Sequence, residues 1–278
     1  MKPPSSRAPW RVCRSAALAA GFSAACAHAP SSTVVTTFTA RGEADAPYLA
    51  VHVDHLQTGG LQRFTDARRR WLAVLAAKQT TDGRGLFLQT GDSGFLSVRP
   101  LRTLGDLDRQ PALSAAALVS VDPRERERYD AASDALLAPP HRTEIWRYDP
   151  DLSLGVTDPT AALSGAAWGK MTVEEIDPTP AGEDYARVWK EVRTALAAAD
   201  YPLVRVAYWS RYGTGDLVTF WLSKSQQEFL RTASAEATVA GVVGAEAAEA
   251  LFARQRKVVL ASDSVDVIPR LDLSSKAL

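Results

Sequence analysis

The chain has 278 residues, 46% of them apolar and 23% charged, a composition that excludes low-complexity and disordered chains and allows a sizeable core. Its formal charge is +0, but Lys2, Arg7, Arg11 and Arg14 all precede the first acidic residue, Glu43, so loss of the first 25 residues leaves a net charge of −4. A mildly acidic body without a basic stripe argues against nucleic acid as a partner.

Residues 1–25 read as a signal peptide. A basic start leads into the apolar run Ala16–Ala25, too short to span a bilayer, which needs about 20 residues. The run ends in Phe22-Ser23-Ala24-Ala25-Cys26, and Cys13 and Cys26 are the two cysteines of the chain. Cleavage before Cys26 removes Cys13 and leaves a lone cysteine with no disulfide to make. The segment resembles the lipobox of bacterial lipoprotein precursors, although Ser23 stands where Leu is usual. The resemblance implies a lipid anchor at Cys26 and a periplasmic or outer-membrane location; soluble secretion is the alternative. Residues 26–47, rich in Thr, Ser, Ala and Pro, read as a tether.

Residues 48–150 form a first unit. Tyr48–Leu56 alternates as a strand, and Leu61, Phe64, Arg68, Trp71, Leu72 and Leu75 recur at helical spacing. Strands follow over 85–90 and 95–101, joined by the turn Gly91-Asp92-Ser93-Gly94. Helices are predicted over 104–118 and 123–137, the second with Pro123 behind the N-cap Asp122. A strand over 143–148 closes the unit. Residues 151–165 are a linker. The second unit, 166–278, repeats the order at an offset of about 120 residues: a strand over 168–176, a helix over 184–199, strands over 203–210 and 217–222, helices over 226–232 and 245–259, and a strand over 264–271.

Two tandem β-α-β-β-α-β units resemble the dimeric α+β barrel superfamily, and the run Phe95–Asp108 is most similar to its NIPSNAP and EthD-type members. The resemblance implies an α+β fold in which two ferredoxin-like units on one chain form a pseudo-dimeric barrel, each sheet carrying helices on one face and needing a partner on the other. Related barrels include monooxygenases, haem proteins and simple binders, so no single reaction is implied.

Several patterns have ordinary explanations. In His52-Val53-Asp54-His55 alternation puts His52 and Asp54 on one face and His55 on the other; His28 and His141 are not placed to complete a set, so no metal site is expected. Gly91-Asp92-Ser93-Gly94 lacks the surroundings of a protease nucleophile. Gly213-Thr214-Gly215 is a hairpin and lacks the third glycine of a dinucleotide fingerprint.

Sorting strands by face is more informative. If Leu49, Val51 and Val53 meet the helices, the space between the sheets receives His52, Asp54, Arg99, Trp146, Glu174, Trp209, Arg211 and Trp221, with Ser97, Glu144, Thr172 and Thr219. Buried charges must pair or meet a polar ligand. These residues are therefore candidates either for a small-molecule site between the sheets or for salt bridges stitching the sheets together. The leading expectation is an exported barrel that binds a small molecule, with no cofactor evident. The alternatives are a cofactor-free or haem-dependent oxygenase with His52 as base or iron ligand, and an envelope protein-interaction component.

Overall fold

The computed structural model describes residues 47–179, 183–212 and 215–275; the signal peptide, Cys26 and nearly all of the tether lie outside the described residues. The first unit runs β1 (Tyr48–Leu56), α1 (Leu61–Ala77), β2 (Leu86–Thr90), β3 (Gly94–Leu101), α2 (Asp106–Ala117), α3 (Pro123–Asp134) and β4 (Leu137–Tyr148). A short helix, α4 (Pro159–Gly165), lies in the connection. The second unit runs β5 (Trp168–Ile176), α5 (Glu183–Ala198), β6 (Val204–Tyr212), β7 (Leu217–Ser223), α6 (Gln226–Arg231), α7 (Ala235–Val243), α8 (Ala245–Val258) and β8 (Val259–Pro269).

The eight strands form one closed barrel in the order β1-β3-β2-β8-β5-β7-β6-β4. Each unit supplies a ferredoxin-like antiparallel sheet. The edge strands of one sheet pair with those of the other, β2 with β8 and β4 with β6, so no unpaired edge remains. Local chemistry follows the sequence at several element starts. The Asp122 side chain caps α3 by accepting from the Arg124 amide behind Pro123. Gly85, at φ +76°, brings β2 so close to β3 that a Cβ there would lie 2.2 Å from the Val98 carbonyl oxygen.

Two expectations about elements need correction. β4 begins at Leu137, where the sequence suggests the end of a helix, and β8 begins at Val259. In addition, Ser234 caps a helix, α7, that the sequence pattern does not predict.

The sorting of faces is also inverted, except on β4, whose Glu144 and Trp146 do face the space between the sheets. Ala50, Leu101 and Ile145 pack with Leu107 of α2, and Ala50 pairs with Arg99 across the β1–β3 ladder. The helix-facing side of β1 is therefore the even-numbered one, which carries His52 and Asp54. Leu49, Val51 and Val53, at most 5% exposed, turn into the barrel instead. They are joined there by Leu96, Val98, Met171, Val206, Tyr208 and Phe220, all at most 3% exposed. Trp146 meets Tyr208 and Phe220 in this interior, each at 6.1 Å between ring centroids. The space between the sheets is a packed core. Its buried carboxylate, Glu144, accepts from Trp146 Nε1 at 2.7 Å, from Ser210 Oγ at 3.2 Å and from Arg142, tying β4 to β6.

Candidate functional site

The helices of each unit cover the outer face of its sheet, and the two covered spaces differ. In the first unit the space is filled. Arg68 of α1 is fully buried, pairs with Asp82, lies 4.6 Å above the Phe87 ring and donates to the Leu273 carbonyl. Asp82 also accepts from Trp71 Nε1 at 2.9 Å and Ser275 Oγ at 2.7 Å. Leu273, from the C-terminal segment, is fully buried with Leu56, Phe64, Phe87, Phe95 and Leu136.

In the second unit the corresponding space holds a cavity of about 220 Å³ between the outer face of β5–β7 and helices α5, α7 and α8. Arg205 of β6, 3% exposed, lies 3.7 Å from the Trp189 ring centroid and 5.8 Å from that of Trp221. Its Nη1 donates to the Leu152 carbonyl, and its Nη2 donates to the Tyr185 hydroxyl at 3.1 Å. Tyr185 in turn donates to Glu174 at 2.6 Å. Burial pushes the Tyr185 hydroxyl well above its usual range, with Glu174 adding to the effect and Arg205 opposing it. The phenol therefore stays protonated and relays the Arg205 charge to Glu174. Among the described residues no carboxylate lies within 4.0 Å of the Arg205 guanidinium in an ion pair. Thr172, Thr219, Trp221 and Phe252 complete an aromatic chamber with a few convergent polar groups, the usual make-up of a small-ligand site. A larger concavity of about 590 Å³ beside α6 is an open groove, with Tyr201, Glu228 and Arg231 in its wall but none of the buried charge of the smaller chamber.

The residues singled out from the sequence do not converge on one site. Glu174 and Trp221 line the chamber. Trp209 packs beside it, its Nε1 donating to Asp149 at 2.9 Å. Trp146 is in the barrel core. Arg99 stands under α2, donating to the Gly83 carbonyl and to Gln110, both at 2.7 Å, and Arg211 is exposed. His52 and Asp54 are on the helix side of β1, where His141 joins them: His52 Nε2 and His141 Nδ1 each lie 3.1 Å from Asp54 Oδ1. The expectation that His141 could not join this pair is thus corrected. Burial would raise the Asp54 pKa, but hydrogen bonds and charge from the two histidines outweigh it and hold the carboxyl below its ordinary value. Sequence reasoning missed Arg205, Tyr185 and Trp189. The available signal was Arg205 itself, a lone charge in the apolar run Leu203–Tyr208.

No family model matches the sequence, and no curated protein does. Solved structures do match. A candidate monooxygenase from Fusobacterium nucleatum subsp. nucleatum aligns over 84% of this chain and 94% of its own, at 11% identity and a TM-score of 0.50. The likeness is one of fold, a closed eight-stranded barrel built of two ferredoxin-like units. A chlorite dismutase from Candidatus Nitrospira defluvii covers 82% of this chain and 93% of its own at 10% identity and a TM-score of 0.44. A haem-binding protein from Thermus thermophilus has the same coverage and identity and a TM-score of 0.45. Haem does not fit the chamber of this chain. Its iron needs an axial His, Cys, Met or Tyr. The described histidines stand on β1 and β4 of the first unit, and the chamber's one side chain of axial type, Tyr185, is held between Glu174 and Arg205.

Proposed function

We propose that the chain binds a small aromatic molecule carrying one acidic oxygen, a carboxylate or phenolate, in the chamber between the second sheet and its helices. The observation that carries this reading is Arg205, a buried guanidinium stacked on Trp189 and linked to the Glu174 carboxylate only through a tyrosine hydroxyl. Burying a cation without a direct counter-charge costs several kcal/mol, and an anionic ligand against its remaining N–H groups would offset that cost. Trp189, Trp221 and Phe252 supply flat walls for an aromatic ring. The site expected between the sheets moves to the outer face of the second one, because the barrel interior is full.

Thermal melts with a panel of small aromatic acids and phenols test the proposal. A member present at 100 times its dissociation constant should stabilise the protein by about 2.7 kcal/mol. Arg205→Met should abolish the shift while the protein still folds. An equal shift in Arg205→Met, or none in the wild type across the panel, would sink it.

A second reading uses the same geometry. A substrate oxidised by dioxygen without a cofactor must be held as its anion, and the remaining N–H groups of Arg205 are placed to stabilise one. The reaction class is taken as a proposal from the Fusobacterium barrel. Dioxygen consumption with the panel members that bind decides between catalysis and simple binding.

We place the barrel outside the cytoplasm, held by a lipid at Cys26 on the tether. Among the described residues no helix is long and apolar enough to cross a membrane, so membrane attachment would come from acyl chains, each buried methylene contributing about 0.8 kcal/mol. Cys26→Ala should move the chain from the detergent phase to the aqueous phase; unchanged partition would refute the anchor.

A further inference from the structure

Away from the chamber, one cluster has metal-ligand chemistry and no part in the proposed binding. β1 and β4 pair up to Val53↔Arg142 and resume at His55↔Ala138. Between those points β4 has Pro139, Pro140 and His141 opposite Asp54 alone. Prolines offer no N–H to the ladder, so the strand bulges there, and a bulge re-aims its side chains. The bulge carries His141 back over Asp54. One ligand atom from each of His52, Asp54 and His141 falls within 4.8 Å of the others. The imidazole rings are nearly parallel, 12° apart, with centroids separated by 6.3 Å. The other nitrogen of His52, Nδ1, lies 2.9 Å from Thr143 Oγ1. That is the outer contact which sets tautomer and ring orientation in metal-bound histidines.

We propose that His52, Asp54 and His141 bind one divalent first-row transition metal ion, with water completing its shell. Two imidazoles and one carboxylate suit zinc, iron(II) and their neighbours far better than calcium or magnesium, which prefer oxygen donors. Metal–ligand bonds of about 2.0–2.1 Å place adjacent ligand atoms roughly 3 Å apart. Both histidine–carboxylate pairs already stand at 3.1 Å. The third pair, between the two imidazoles, needs a small inward rotation of two half-exposed rings. The carboxylate is anchored, its side chain 5% exposed, whereas His52 and His141 are 45% and 37% exposed. The open coordination positions therefore face solvent. Three protein ligands and an accessible position are the arrangement of a reactive ion rather than of a closed structural one. Arg142, next to His141 in sequence, is drawn off to Glu144.

The test is equilibrium dialysis of the full chain against zinc, followed by metal analysis, together with the visible spectrum of the cobalt(II)-loaded protein. The expected result is one zinc ion per chain and cobalt bands typical of nitrogen and oxygen ligands. His52→Gln and His141→Gln, both at accessible positions that tolerate the change, should each weaken zinc binding by more than the roughly 10–100-fold expected of the outer-shell variant Thr143→Val. Circular dichroism should confirm that all three variants keep the fold. Absence of stoichiometric zinc would overturn the proposal. So would affinity retained in either histidine variant, which would place the ion at other ligands such as His28, His55 or Cys26. A histidine–aspartate hydrogen-bond cluster without metal predicts no cobalt bands at all.

Discussion

Arg68 and Arg205 occupy matching spaces, one under the helices of each unit, and their partners decide what each space is for. Arg68 meets Asp82 directly. Burial alone would raise the Asp82 pKa, but hydrogen bonding and charge from Arg68 overcome it and hold the carboxyl far below its ordinary value. Asp82→Asn should therefore cost about 3–5 kcal/mol at neutral pH in a urea melt, because Arg68 is left buried and uncompensated. The pH dependence follows from the direction of the shift. A carboxyl with a depressed folded-state pKa contributes its stability above the unfolded value, about 3.9, and loses it as pH falls through the folded value. The gap between wild type and Asp82→Asn should thus be constant near neutrality and narrow below about pH 4; a gap unchanged at low pH would mean that the carboxylate charge is not its source. Arg205 has no such partner, and its space is open. As a lone charge among Leu203, Val204, Val206 and Ala207, Arg205 was visible in the sequence. Its meaning was not, because Tyr185 and Trp189 reach it from a helix and the packing angle of α5 is not encoded in strand alternation.

At the scale of elements, periodicity identified most strands and helices, and the doubling of the β-α-β-β-α-β order was readable at an offset of about 120 residues. The faces were not readable. In β1 both sets are buried, Leu49 at 0% and Ala50 at 8%, so alternation separates two groups of residues without saying which one meets the helices. Pro139 and Pro140 likewise hid the start of β4, since proline usually argues against a strand; here they mark the bulge that brings His141 to Asp54. Gly85 offers a check on sheet geometry. Gly85→Ala combines a left-handed backbone with a clash against the Val98 carbonyl, and should destabilise the protein by at least about 1–3 kcal/mol in thermal melts. A neutral result would show that β2 does not approach β3 as closely as described.

For the whole molecule, barrel closure makes each unit the cover of the other. Trp146 of β4 packs on Tyr208 and Phe220 of the second unit, while Leu273 and Ser275, from the end of the chain, seal the first. With the barrel interior filled, the proposed site lies on the outer face of the second sheet. Ala235, at the start of α7, lines that chamber. Ala235→Leu would occupy its volume with apolar atoms and leave the Arg205–Tyr185–Glu174 relay in place. The direct measurement is the thermal shift of wild type and Ala235→Leu with the panel of aromatic acids and phenols. The expected result is a ligand-free melting temperature that is equal or higher in Ala235→Leu, and loss of the shift that the wild type shows. A shift of the same size in both proteins would contradict it, because the ligand would then be binding somewhere else.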